Sequence, residues 1–202
     1  MIALIDYKAG NLTSVRKALA SVGASVFTPE RPADLEKSEG IIVPGVGHFG
    51  ATSALDRDWI GAILARVEVG RPLLGICLGM QWLYERSDEA PELPGLGLLD
   101  GSVHRLTSDA GDTPLKVPHV GWNSLARRRE GILMDGVPQG AQVYFTHSYA
   151  APVTADTVAS TEHGEAFASI VERGLVYGVQ FHPEKSGQVG LQVLTNFLRL
   201  VG

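Results

Sequence analysis

The first 76 residues alternate short apolar runs with amphipathic stretches, and this alternation constrains the fold more than any other feature. The run "IALI" (2–5) is bounded by Asp6 and Gly10 and has a buried-strand pattern. In "NLTSVRKALASVG" Asn11 can cap a helix, Val15, Leu19 and Val22 recur at helical spacing, and Gly23 can end it. "SVFTP" (25–29) and "GIIVPG" (40–45) read as the next strands, "DRDWIGAILARVEVG" as another helix, and "PLLGI" (72–76) as a further buried strand. Strand and helix in alternation predict a parallel sheet covered on both faces.

The second half changes character. "GSVHRL", "VYFTHSY", "TVASTEHG", "AFASIVERG" and "LVYGVQFH" are strand-like and separated by Gly, Asp or Pro, which predicts hairpins added to the sheet. "SGQVGLQVLTNFLRLVG" closes the chain as a helix, with Leu191, Leu194 and Leu198 on one face and Ser186 as a cap. The expectation is one α/β domain over residues 1–202. It has three layers: a mostly parallel central sheet, helices on both faces, and an antiparallel portion in the C-terminal half.

Composition removes several function classes. Charged residues make up 19% of the 202 and the net charge is −5, which argues against a nucleic-acid footprint. The one basic run, "RRR" at 127–129, reads as a solvated loop. A single cysteine allows no internal disulfide and fits a reducing compartment. The N-terminus lacks the basic segment of a signal peptide, and no apolar run has the length of a membrane span. A soluble, cytoplasmic protein is expected.

Cys77 lies in Gly75-Ile76-Cys77-Leu78-Gly79, the pattern G-x-nucleophile-x-G. A strand that turns sharply into a helix forces strained dihedrals on the residue at the corner, and only small residues two positions to either side leave room. "PLLGI" supplies the strand and "LGMQWLYERS" a first helical turn, whose positive end favours thiolate. The alternative is a buried structural cysteine. A nucleophile needs a base, and of six histidines only His182, in "GVQFHPEKSG", has an orienting partner close in sequence. In extended backbone residues i and i+2 project to the same side, so Glu184 can hold one imidazole nitrogen while the other faces a thiol.

Gly45-Val46-Gly47-His48-Phe49-Gly50 matches G-x-G-x-x-G, but the place where a dinucleotide site wants a carboxylate holds "LLGIC". These glycines better suit a loop whose backbone N–H groups point into a site and form an oxyanion hole with the N–H of Leu78. The histidines are scattered and one cysteine cannot build a structural zinc site, so neither metal nor cofactor is expected.

With Cys77, His182 and Glu184 assembled, the chain resembles the class I (triad) glutamine amidotransferases. "GICLGMQ" is similar to their nucleophile elbow, "FHPE" to their His-Pro-Glu signature and "VPGVG" to their oxyanion loop. "KVPHVGWN", "YFTHSY" and "GVQFHPEKSGQVGLQVLTNF" narrow the resemblance to the glutaminase subunits of imidazole glycerol phosphate synthases, with Thr146 standing where a valine is expected. The resemblance implies a Cys77–His182–Glu184 triad that hydrolyses glutamine, with backbone at Gly45, Val46 and Leu78 around the oxyanion. It implies that Gly47, Gln81, His147, Ser148 and Tyr149 hold the substrate. Ammonia must reach an acceptor before bulk water protonates it, and the chain has no room for an acceptor domain. A partner is therefore required. The resemblance makes it a (β/α)8-barrel cyclase subunit in a heterodimer, docked against Asn11, Trp122, Tyr144 and Lys185. Glutaminases of pyridoxal phosphate or anthranilate systems, and an α/β cysteine hydrolase without a partner, remain the alternatives.

Overall fold

The computed structural model describes residues 1–107 and 115–201. Its strands are β1 (Ile2–Leu4), β2 (Val26–Phe27), β3 (Gly40–Gly45), β4 (Leu73–Cys77), β5 (Tyr84–Ser87), β6 (Leu99–Arg105), β7 (His119–Ser124), β8 (Ala126–Arg127), β9 (Gln142–His147), β10 (Tyr149–Ala150), β11 (Thr157–His163), β12 (Glu165–Arg173) and β13 (Val176–Val179). The α-helices are α1 (Leu12–Ser21), α2 (Arg57–Glu68), α3 (Leu78–Trp82) and α4 (Gly187–Leu198).

The main sheet runs β2-β1-β3-β4-β13-β12-β11-β8. Pairing is parallel from β2 through β13 and antiparallel from β13 to β8. Alternate residues of the parallel strands feed two cores. Leu4, Ile42, Leu74 and Ile76 pack with Val15 and Leu19 of α1 and with Val193, Leu194 and Phe197 of α4. Ile5, Ile41, Val43 and Leu73 pack with Ile63 of α2 and with Leu78, Met80 and Trp82 of α3. Both faces of the parallel region are thus covered, which is why its strands read as continuous apolar runs.

Several local expectations are corrected. "GSVHRL" and "VYFTHSY" do not join the main sheet: β6 pairs with β5 and β10, and β9 pairs with β7, in two smaller sheets. The helix after Cys77 stops at Trp82, and the chain re-enters as β5. Ser186 precedes α4 without capping it, because its hydroxyl donates to the His182 carbonyl at 2.7 Å and accepts from Tyr144 N–H at 3.0 Å. The arginine run is not merely solvated. Arg127 donates to the Met134 and Val137 carbonyls, Arg128 to Ser160 Oγ, and Arg129 to the carbonyls of Ala155, Asp156 and Glu172. Asn11 caps α1 as expected, accepting from Ser14 N–H at 3.2 Å.

β3 and β4 end side by side, with Gly45 opposite Cys77, and β13 ends three residues before His182. The segments that carry the expected chemistry therefore gather at the C-terminal edge of the parallel strands, where open α/β sheets place their sites.

Candidate active site

Cys77 has φ 54° and ψ −108°, a region that costs a non-glycine residue on the order of 1–3 kcal/mol. The two flanking glycines are what make the corner possible. A Cβ on Gly75 would come within 2.6 Å of Met80 N, and one on Gly79 would overlap the Val43 carbonyl. The strained residue is also nearly buried, at 4% exposure.

His182 and Glu184 meet, though not as an extended pair. Pro183–Lys185 form a 3-10 turn, and that turn folds Glu184 back so that its Oε1 lies 2.8 Å from His182 Nδ1. Burial alone would lower the His182 pKa. Its partners Cys77 and Glu184 outweigh burial and raise it to about 10, so the imidazole is cationic at neutral pH. His182 Nε2 is buried with no well-aligned hydrogen bond among the described residues, which leaves it available toward the thiol and a bound ligand.

Beside Cys77 is a cavity of about 300 Å³, at the small end for ligand sites and suited to an amino acid. Gly47, Gln81, His147, Ser148 and Tyr149, the residues expected to hold substrate, all line it. β9 ends at His147 and β10 begins at Tyr149 in a different sheet, which leaves Ser148 between strands at the cavity wall. Gln81 Nε2 donates to the Tyr149 carbonyl at 2.7 Å and to Gln180 Oε1 at 3.1 Å.

The expected oxyanion pair is not assembled. Leu78 opens α3, where backbone N–H groups have no partner inside the helix. Val46 N–H instead donates to the Ala9 carbonyl at 3.0 Å. Gly45 is hemmed in, because a Cβ there would overlap the Tyr7 hydroxyl and lie 2.8 Å from Leu78 Cβ. That hydroxyl is buried and has no hydrogen-bond partner among the described residues, and burial, with a contribution from Cys77, pushes its pKa up.

Of the residues expected at a docking face, three come together. Trp122 and Tyr144 are cross-strand partners on β7 and β9 with ring centroids 6.0 Å apart, and Lys185 Nζ lies 5.7 Å from the Tyr144 ring centroid. Trp122 is 56% exposed and its neighbour on the same face, Val120, 57%. Asn11 is exposed, but no hydrogen bond or ring contact among the described residues joins it to the other three.

Sequence reasoning missed Glu89, Pro118 and Thr146 in the cavity wall, as well as Tyr7, Gln180 and His119 around it. Glu89 Oε2 accepts from Phe49 N–H at 2.7 Å, which ties the cavity's one carboxylate to the segment after the oxyanion loop. No motif marked it. His119 Nδ1 lies 3.1 Å from His147 Nε2, and His147 Nδ1 lies 2.9 Å from the Tyr149 carbonyl. Burial, assisted by neighbouring imidazoles, lowers the pKa of His119 to about 4 and that of His147 to about 3, so both are neutral. No cluster among the described residues could hold a metal ion.

These shifts predict how stability varies with pH. His119 and His147 bind protons more weakly folded than unfolded, so their contribution is full above pH 6.5 and is lost as pH falls toward 4 and 3. His182 binds its proton more tightly folded, so its contribution is full below pH 6.5 and is lost as pH rises toward 10. Urea midpoints should decline on both sides of about pH 6.5, the acid decline starting above the range in which carboxylates titrate. A flat midpoint from pH 5 to 9 would contradict this account.

A sequence model of the class-I glutamine amidotransferases matches residues 3–201. The imidazole glycerol phosphate synthase subunit HisH of Bacillus cytotoxicus is 43% identical over 204 residues, covering 100% of this chain and 95% of its own. The same subunit from Xanthomonas oryzae pv. oryzae is 45% identical, covering 98% and 97%. A crystal structure of a glutamine amidotransferase superposes with a TM-score of 0.76 at 21% identity, covering 100% of this chain and 98% of that one. That last similarity speaks for the fold.

Proposed function

The chain belongs to the class-I glutamine amidotransferases, and on that premise we propose that it hydrolyses L-glutamine with Cys77, His182 and Glu184 and passes the ammonia to a cyclase partner. The observation that carries this reading is the strained Cys77 at the edge of an amino-acid-sized cavity, with the His182–Glu184 pair beside it. The Cys77 thiolate attacks the side-chain amide carbon of glutamine. The His182 imidazolium gives its proton to the departing nitrogen, and ammonia leaves a γ-glutamyl thioester. Neutral His182 then takes a proton from water, the hydroxide adds to the thioester carbon, and collapse releases glutamate and the thiolate. Glu184 keeps the imidazole oriented and balances its charge.

Glutamine fits the cavity's polar groups. Gln81 has both amide protons engaged, so its Oε1 is the atom left to accept from the ligand. Glu89 is the anion available for the ligand's ammonium group. Glu89→Ala should raise KM for glutamine about tenfold or more with a smaller change in kcat, since hydrogen bonds to charged groups contribute roughly 1.5–3 kcal/mol. Steady-state kinetics check this, and an unchanged KM would remove Glu89 from the substrate site.

The structure corresponds to a resting state in this reading, because Val46 N–H is turned to Ala9. Rotation of the Gly45–Val46 peptide would aim that N–H at the oxyanion beside Leu78. The patch formed by exposed Val120, Trp122 and Lys185 around half-buried Tyr144 is where a partner would dock and favour that rotation. The names of its relatives support a partner that is another subunit of imidazole glycerol phosphate synthase. We take that partner to be the cyclase, with the (β/α)8 barrel that the sequence resemblance implies, and place the reaction in histidine biosynthesis in the cytoplasm. The whole chain acts as one domain in that heterodimer. Co-purification tests the assignment: recovery of the cyclase supports it, and recovery of an anthranilate synthase large subunit would overturn it.

A further inference from the structure

We propose that Gln180 is a catalytic residue of this site: its side-chain amide donates to Cys77 Sγ and favours the thiolate, in an orientation imposed from the Tyr149 carbonyl. Gln180 is fully buried one residue beyond β13, and its Nε2 lies 3.7 Å from Cys77 Sγ. An amide has two ends of similar shape, so the question is what makes the donor end face the sulfur. The answer starts from backbone. A carbonyl oxygen only accepts, so the Gln81 amide nitrogen must face Tyr149 O. The second proton of that nitrogen points at Gln180, which must present Oε1 to it. Gln180 Nε2 is then left facing Cys77. The opposite orientation would set two donors against each other at Gln81 and an amide oxygen against a thiolate.

A second chain of hydrogen bonds ends at the same carbonyl with the same polarity. Ser124 N–H donates to Asn123 Oδ1 at 2.8 Å and Asn123 Nδ2 donates to the Glu162 carbonyl at 3.0 Å, so the Asn123 amide can face only one way. Its Nδ2 also lies 3.2 Å from His119 Nε2, which must accept. Neutral His119 then donates through Nδ1 to His147 Nε2, and His147 donates through Nδ1 to Tyr149 O. The Tyr149 carbonyl is held from two sides, and nothing in the network has freedom to turn Gln180 over. Hydrogen bonds to ionised groups are about twice as strong as neutral ones, so a donor in this position favours the thiolate over the thiol.

The proposal rests on Cys77 being the nucleophile, but its test does not depend on glutamine turnover. Cys77 is the only cysteine, so alkylation by iodoacetamide, followed by mass spectrometry across pH, reports this thiol alone. Gln180→Met keeps the bulk and removes the donor; Gln180→Glu keeps the acceptor for Gln81 and turns a carboxylate toward the sulfur. In Gln180→Met the labelling curve should move up by about one pH unit, with about tenfold slower labelling on the acid side of the curve, and in Gln180→Glu further. A Gln180→Met curve that superimposes on the parent overturns the proposal. So does a shift in Gln180→Glu alone, since a carboxylate repels a thiolate whether or not the amide ever donated. If neither variant folds, the unaltered chain decides. The Gln180 side-chain amide resonances should shift as Cys77 ionises, and resonances that stay constant through that range overturn the assignment.

Discussion

Cys77→Ser is expected to lower glutamine-dependent product formation by ~10⁴-fold or more, while the assembled synthase still turns over with added ammonium. The loss is large because the thiolate is the attacking atom, and Ser would need a base strong enough to ionise a hydroxyl. With Cys77 gone, His182 also loses the first of the partners that raise its pKa, which leaves it a weaker base for that task. The retained ammonium activity follows from the division of labour. In the proposed function the acceptor chemistry belongs to the partner, and a Ser of nearly the same size should keep the elbow's shape and leave the Trp122–Tyr144 face as it is. Loss of ammonium-dependent turnover in this variant would show that the chain contributes to the acceptor step.

The second large effect concerns switching. With Val46 N–H engaged by Ala9, the proposed oxyanion site is left with the backbone donor at Leu78, where the proposed mechanism calls for two. One such donor contributes about 2.7–4 kcal/mol to the barrier, or roughly 10²–10³ in kcat. The isolated chain should therefore hydrolyse glutamine slowly and gain about that factor with the cyclase and its ligand present. Val46→Pro, which has no N–H to offer, should keep the slow rate and lose the gain. Rapid turnover by the isolated chain, or full activation of Val46→Pro, would contradict the gating by this peptide.

The fold was legible where physical constraints are local. Strands β1, β3 and β4 are covered on both faces and so read as unbroken apolar runs. The α1 cap was readable because Asn11 serves its own helix. Contacts made across the fold were not readable. Ser186 looks like a cap by position, but Tyr144 and His182 engage its hydroxyl from other elements. β6 and β9 have ordinary strand patterns, and nothing in a pattern says which sheet a strand will join. At the site, Cys77 and His182 stood out because their neighbours form motifs. Glu89 was invisible, since a lone carboxylate between turn residues becomes special only when folding brings it beside Phe49 N–H and the cavity. Val46 shows a further limit. Residue type says nothing about which way a backbone amide points, and here it points to Ala9.

The central claim is that Cys77 carries the γ-glutamyl group during turnover. Acid quench of the activated heterodimer during glutamine hydrolysis, followed by peptide mass spectrometry, tests it directly. A γ-glutamyl increment is expected on the peptide that contains Cys77, present only while glutamine remains and absent from Cys77→Ser. Steady glutamine hydrolysis with no covalent adduct on Cys77, or the same turnover by Cys77→Ser, would contradict it.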